Sequence, residues 1–402
     1  MVRALVIGGN FGGLTAAFEL RRKLGPEAQV TVVSKLDTFV YIPSLIWVPF
    51  GRRKVEDITF DAATSFAKAG IDFVHEEAVR IVPEEKTVQL ASGRSMGYDY
   101  LVVATGAELA WDAVPGLGPK ANSRSIFTPP DAEATYVAWQ EFVKNPGPVV
   151  VGAVPGASCM GAGYEYLFNL AHFARKAGIR KKIRITWVTP EPFLGHFGIG
   201  GIRGGETMLK GFFKMLDIEY RTEAAVTEVL PDGVRLGSGE VLPSKWTMLV
   251  PPFRGAKVVR DSGLGDEKGF LETTEGYQST KYPEIFGAGL SVKVPNPFAG
   301  KSSVPFGVPK TGYPTDEMAK TAVENIRRIV AGKTADHCHA FGKMPGVCLM
   351  HAGSHEVMIL TNTLFPPRKL ALMLPNPLGG FGKVILEKFL LWKYRGGYSW
   401  MP

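Results

Sequence analysis

Apolar residues along this chain fall into two spacings. Mostly apolar runs, most of them four to eight residues long and bounded by glycine or polar turns, read as strands buried on both faces. They occur at residues 2–7, 29–34, 98–104, 149–151, 183–188, 246–250 and 285–287. Between them, apolar residues recur every three or four positions, the spacing of one helix face. Leu14, Ala17, Phe18, Leu20 and Leu24 form one such stripe. Tyr164, Leu167, Leu170 and Phe173 form a second, and Met318, Ala322 and Ile326 a third. Strands alternating with helices predict an α/β chain with parallel sheets.

The turns between these elements sharpen the picture. The first strand runs into Gly8-Gly9-Asn10-Phe11-Gly12-Gly13 and then a helix, a βαβ unit with a Gly-rich first turn. Such a turn aims backbone N–H groups and the helix dipole at a pyrophosphate. Gly8 and Gly13 fit the dinucleotide register, but Asn10 takes the middle glycine's place; asparagine tolerates left-handed backbone, so the turn is expected to survive. The second strand ends in Ser34-Lys35 rather than an acid, so Ser34 is expected on the ribose and Lys35 near a phosphate. A second βα unit follows residues 149–151, with the turn Gly152-Ala153-Val154-Pro155-Gly156-Ala157. It lacks the glycine pattern, and its next strand ends in Thr189-Pro190 without a ribose-binding acid. The expectation is two Rossmann-like dinucleotide-binding domains, the second degenerate. The first spans 1–115 and 246–332 discontinuously, the second spans 116–245, and residues 333–402 form a C-terminal amphipathic membrane-binding region.

Charge and composition change one part of this. The 402 residues carry 45% hydrophobic and 21% charged residues, which excludes disorder for most of the chain. The net charge of +8 is unevenly spread. From Thr361 onward there are six basic residues and one acid, a net of +5, leaving +3 for the preceding 360 residues. Residues 382–394 read as an apolar helix with Lys383, Lys388 and Lys393 at five-residue steps, preceded by apolar 370–374 and followed by Tyr398 and Trp400. Lysines snorkelling from a helix in the headgroup region suit this pattern better than nucleic-acid binding; a helix docked on the protein's own core is the alternative. No apolar run reaches the roughly 18 residues of a spanning helix, and no signal-peptide pattern precedes the first strand.

Three cysteines, Cys159, Cys338 and Cys348, exclude a disulfide-stapled fold and lack metal-ligand spacing, so no metal is expected. Cys159 opens the helix after the second Gly-rich turn, where the helix dipole favours thiolate; a small buried hydrophobe is the plainer reading. Cys348 falls on a strand, and Cys338 sits in a polar His337-Cys338-His339 turn. His196, in a Gly-rich loop, is a candidate base near neutral pH. Glu165, six residues beyond Cys159, is a candidate for proton transfer. Lys310-Thr311-Gly312 opens a late helix, where a lysine and a helix N-terminus stabilise negative charge.

These residues resemble the bacterial sulfide:quinone oxidoreductases. The resemblance rests on Gly152-Ala153 with Gly156-Ala157-Ser158-Cys159-Met160-Gly161, on Glu191-Pro192-Phe193 with Gly195-His196-Phe197-Gly198, and on Val308-Pro309-Lys310-Thr311-Gly312-Tyr313. It runs nearly the whole chain. It implies non-covalent FAD against Gly8, Gly9, Asn10, Phe11, Gly12, Gly13, Ser34, Lys35, Pro43, Ala78, Thr105, Gly106, Gly289, Lys310, Thr311, Gly312 and Lys383. It implies that Cys159 and Cys348 carry a di- or polysulfide bridge attacked by sulfide, with His196 moving protons. A membrane quinone would take the electrons between Leu349, Lys383 and Leu386. Leu290 stands where a flavin-binding Asp is usual. Phe127 and Asp131 stand where a third cysteine and a histidine are common, so a three-cysteine release scheme cannot apply unchanged; Cys338 is a candidate stand-in.

The implied partners are sulfide, quinone and a membrane surface, without nucleic acid, and a homo-oligomer is compatible with them. The implied location is peripheral, on the cytoplasmic face. Three rivals remain at this point: a type II NADH:quinone oxidoreductase, the flavoprotein of a flavocytochrome c sulfide dehydrogenase, and a flavin-binding protein without turnover.

Overall fold

The computed structural model describes residues 1–376 and 380–401. The first βαβ unit forms as expected: β1 (Arg3–Ile7), α1 (Phe11–Leu24) and β2 (Gln29–Ser34). With β3 (Asp72–His75) and β4 (Tyr100–Val103) they build a parallel sheet. All of β1 beyond Arg3 is buried, because both sheet faces are covered.

The chain then crosses to a second parallel sheet. Its strands are β5 (Val149–Ala153), β6 (Ile185–Val188), β7 (Ile218–Arg221) and β8 (Trp246–Val250), in the order β7-β6-β5-β8. Helix α2 (Met160–Lys176) packs on this sheet. One expected boundary moves. Residues 246–250 were assigned to the first domain, but β8 pairs along β5 from Val149↔Trp246 to Ala153↔Val250. An apolar strand reads the same in either sheet; only the pairing decides.

Strand β9 (Ile285–Gly287) returns to the first sheet, giving the order β9-β4-β1-β2-β3. Helix α3 (Gly312–Val330) lies against α1. That approach is close: a Cβ on Gly12 would stand 3.1 Å from Thr315.

The C-terminal region is a third unit. Strands β10 (Gly346–Ala352), β11 (His355–Thr361) and β12 (Ala371–Asn376) form an antiparallel sheet, followed by α4 (Phe381–Arg395). Residues 370–374, read as part of the apolar approach to the tail helix, are therefore largely strand. Side chains alternate between the two sheet faces. One face holds the row Cys348–Ile359–Met373 and points into the main apolar cluster. The other holds Val347–Leu360–Leu372, Leu349–Met358–Leu374 and His351–Glu356–Asn376. The N-terminal turn of α4 covers only the last row, with Gly380 against His351 and Gly382 against Glu356.

The lysines of α4 depart from expectation. Lys383 and Lys393 are 3% and 1% exposed and do not snorkel outward. Residues five apart turn about 140° around a helix, so the three lysines cannot share a face. The buried residues are Lys383, Glu387, Leu391, Lys393 and Tyr394. The outer stripe carries Phe381, Ile385 and Trp392, 71%, 64% and 51% exposed. Three of the five charged residues, Lys383, Glu387 and Lys393, face inward, while large apolar side chains share the outer face with Lys388. No helix among the described residues is long and apolar enough to cross a membrane.

Candidate active site

The dinucleotide cradle is built at the C-terminal ends of β1 and β4. Gly8 takes φ +107°, and a Cβ there would meet the Ala104 carbonyl at 2.3 Å. Asn10 does not adopt left-handed backbone: its φ is −101°, and it caps α1 by accepting from the Phe11 N–H. The turn survives through helix capping, with the positive angle carried by Gly8. Ser34 lies under Gly9, 3.1 Å from where its Cβ would be. Lys35 points to solvent and pairs weakly with Glu77 at 3.9 Å. Ala78 is buried at the start of a neighbouring strand, while Pro43 is exposed at the start of the 3-10 turn Ile42–Phe50.

On the opposite lip, Gly289 takes φ +67° against Thr315. With Leu290 in place of an acid, the adjacent Ser291 is the polar group: it accepts from the Gly106 N–H at 3.1 Å and lies 3.3 Å from the Thr105 hydroxyl. Gly312, next to the N-cap Thr311, stands over the Phe11 ring. Lys310 donates to the Val292 carbonyl at 2.6 Å and sits over Phe270, where burial pushes its pKa down to about 7. These glycines, the helix N-termini of α1 and α3 and the half-buried Lys310 fit a flavin dinucleotide.

Beyond Lys310 opens a cavity of about 770 Å³. Ser158 from the second Gly-rich turn, Phe298 and Phe306 line it. His196 stands behind this wall, its ring 4.8 Å from each of Phe298 and Phe306. Its Nδ1 is buried without a partner, and burial lowers its pKa to about 4, leaving a neutral imidazole at pH 7.

Cys159 caps the start of α2 and Cys348 lies on β10; both are free and pack against the same apolar cluster. The helix start was expected to favour thiolate at Cys159. Burial instead pushes that thiol up, only partly opposed by the Ala162 N–H, and Cys348 is pushed up to about 12 by burial and by Glu165. Desolvation outweighs the dipole here. Two thiols held neutral in this way suit a neutral sulfur bridge at rest. Cys338 is exposed and lies outside that cluster. Where a third cysteine and a histidine were looked for, Phe127 packs on the main core, and Asp131 accepts from Ser125 at 2.8 Å.

Behind the thiols runs a buried charged network. Glu165 pairs with Lys383 and accepts from the His351 N–H at 3.0 Å. Burial raises the Glu165 pKa, against the pull of Lys383. Glu356 accepts from the Lys383 backbone N–H at 2.6 Å. The buried Trp47 ring carries three cations, Arg52, Arg53 and Lys383, at 4.4, 5.0 and 4.9 Å. His351, Glu356 and Trp47 were not anticipated: nothing in a single sequence marks a strand histidine or a core tryptophan as part of such a network. Leu349 stands on the sheet face opposite Cys348, and Leu386 is half-buried on α4. Among the described residues no cluster of His, Cys, Asp and Glu could hold a metal.

Comparison with known proteins agrees with this architecture. The family profile described as pyridine nucleotide-disulphide oxidoreductase matches residues 2–296. The sulfide-quinone reductase of Aquifex aeolicus is 34% identical over 400 residues, covering 98% of this chain and 91% of that one. The X-ray structure of the sulfide:quinone oxidoreductase from Aquifex aeolicus superposes with a TM-score of 0.93, covering 99% of this chain and 92% of the other. The type II NADH:quinone oxidoreductase of Staphylococcus aureus is 24% identical, covering 88% of each chain. Glycine cradle, two free thiols packed on one apolar cluster and full-length similarity converge: the chain belongs to the sulfide:quinone oxidoreductase family of the pyridine nucleotide-disulphide oxidoreductases.

Proposed function

We propose that this protein oxidises sulfide at Cys159 and Cys348 and reduces a membrane quinone beside Lys383, with FAD between the two. The observation that carries the reading is the alternation on β10, where Cys348 and Leu349 point to opposite sheet faces. One strand thereby separates a thiol side from an apolar outer side. When bound, FAD supplies two-electron transfer between them.

Hydrosulfide loses one proton and two electrons, leaving zero-valent sulfur on the thiols. The neutral His196 accepts the proton. Quinone takes up two electrons and two protons, which the buried Lys383–Glu165 pair relays on that side. Leu349 and Leu386 flank the ring site. Three groups of residues define the membrane-facing surface: the outer stripe of α4, the rows Val347–Leu360–Leu372 and Leu349–Met358–Leu374, and the exposed Lys388. A helix with buried charge and an exposed Phe381, Ile385 and Trp392 is unfavourable in water alone and suits peripheral attachment to lipid.

The similarity to a type II NADH:quinone oxidoreductase supports a second reading in which NADH is the donor. One titration separates them. The flavin-loaded protein receives sulfide, and after reoxidation NADH, with flavin absorbance followed. Bleaching by sulfide and none by NADH is expected; bleaching by NADH alone would overturn the proposal.

A further inference from the structure

The loop that carries His196 is held in an unusual backbone shape. Gly195, Phe197, Gly198, Gly200 and Gly201 all have positive φ. Four are glycines, for which this costs little. Phe197, at φ +55°, is not, and a bulky side chain there is strained. Strain of this kind persists only where the surroundings hold it.

The holder is Glu191. It lies two residues past Thr189, beyond the end of β6, close to where a nucleotide-binding domain places its ribose acid. Here the carboxyl turns inward and is fully buried. Its Oε1 accepts from the Phe197 N–H at 2.6 Å. Its Oε2 accepts from the Tyr164 and Thr189 hydroxyls, each at 2.8 Å. The Tyr164 hydroxyl in turn accepts from the Gly195 N–H at 3.0 Å. Tyr164 belongs to α2, the helix that starts at Cys159, and its ring packs on Trp187 and Phe197 at 4.2 and 5.2 Å. From the other side, Arg368 donates to the Ile199 and Gly201 carbonyls.

We propose that Glu191 is the positioning residue of the sulfide half-reaction: its carboxyl ties the histidine loop to the thiol helix and fixes Phe197, and so His196, against the cavity. It touches no reacting atom and acts through His196. The proposal rests on the reading of His196 as the sulfide-side base. The oxygen that accepts from Phe197 is the part that matters, so glutamine can replace glutamate and leucine cannot. An acid used this way does not reach a ribose, which agrees with sulfide rather than NADH as the donor.

The test uses full-length, FAD-loaded protein and separates the half-reactions. Stopped-flow bleaching by sulfide reports one; reoxidation of chemically reduced flavin by a short-chain benzoquinone reports the other. Glu191→Leu is expected to slow bleaching by about 10- to 100-fold, the scale of a misplaced catalytic group. Flavin content and reoxidation should stay near wild type, and Glu191→Gln should bleach within about threefold of wild type, since it keeps the acceptor. If Glu191→Leu yields no flavoprotein, Tyr164→Phe cuts the same link while keeping the ring, and a selective slowing of bleaching is expected there too. His196→Ala tests the underlying reading. Slow bleaching in His196→Ala with wild-type bleaching in Glu191→Leu overturns the positioning role alone. Wild-type bleaching in His196→Ala removes the reading and the proposal with it. Equal slowing of both half-reactions in Glu191→Leu, or a Glu191→Gln as slow as Glu191→Leu, also overturns it.

Discussion

The inverted tail helix makes its sharpest prediction at Lys393. This ammonium is 1% exposed and lies 2.9 Å from Asp316 of α3. Asp316 also accepts from the Tyr394 hydroxyl at 2.6 Å and the Thr15 hydroxyl at 2.8 Å. At an effective dielectric of about 20, two charges this close attract by about 6 kcal/mol, part of which offsets their desolvation. Removing one partner of a buried pair costs about 3–5 kcal/mol, because the other charge stays buried. Asp316 keeps two hydroxyl donors, which places Lys393→Met at the low end, about 3 kcal/mol. Spread over the unfolding entropy of 402 residues, that is a fall of about 4 °C in the unfolding midpoint. Thermal release of flavin fluorescence measures it, because Tyr394 also packs on Phe11 of the dinucleotide turn at 5.3 Å. Adding Asp316→Asn removes the orphaned charge and should recover about 1 kcal/mol or more. Lys388→Met, on an ammonium 61% exposed, should change little. A Lys393→Met protein that releases flavin within 2 °C of wild type, or a Lys388→Met protein that falls equally, would refute the docked charged face.

Replacing Phe381, Ile385 and Trp392 together with serine should release the protein from liposomes while flavin content and sulfide bleaching persist, since each side chain contributes about 1.5–3 kcal/mol of apolar burial; sedimentation of the variant with vesicles as wild type does would exclude this surface as the anchor. Cys159→Ser and Cys348→Ser should each abolish sulfide-driven bleaching with FAD still bound; rapid bleaching in both would exclude the two-thiol chemistry. Burial pushes the Glu191 carboxyl from its ordinary 4.5 up to about 7. The folded chain therefore holds a proton that the unfolded chain has released, so stability falls as pH rises from about 4.5 to about 7. Relative to Glu191→Gln, wild type should lose about 3 kcal/mol across that window, read from denaturant unfolding in pH steps; a flat difference would show that the carboxyl does not titrate there.

Much of this was legible in the residues. The βαβ units, the Gly-rich cradle and the parallel strands follow from mostly apolar runs and glycine placement, which act locally. Cys159, Cys348 and His196 were singled out by residue type and motif. Other features were not. Asn10 was expected to rescue its turn by left-handed backbone, yet it does so by capping, because Gly8 already supplies the positive angle. The helix dipole at Cys159 was legible; the burial that overrides it was not. Glu191 was noted only as part of a motif and given no role, because an acid two residues beyond a strand looks like a loop residue until Tyr164 and Phe197 are seen to surround it.

The sequence alone determined which segments are strands and helices and where a dinucleotide can lie, since these depend on period, glycine and chain direction. It also determined that the C-terminal 42 residues carry five of the eight net charges. Tertiary structure decided which way those charges face. Lys383 and Lys393 meet Glu165 and Asp316, residues 218 and 77 positions away in the chain, and are drawn inward by them. Arg368 is spent on the carbonyls of the histidine loop. A charge count records that a lysine is present; the acid awaiting it, brought near only by folding, determines whether it meets lipid or protein.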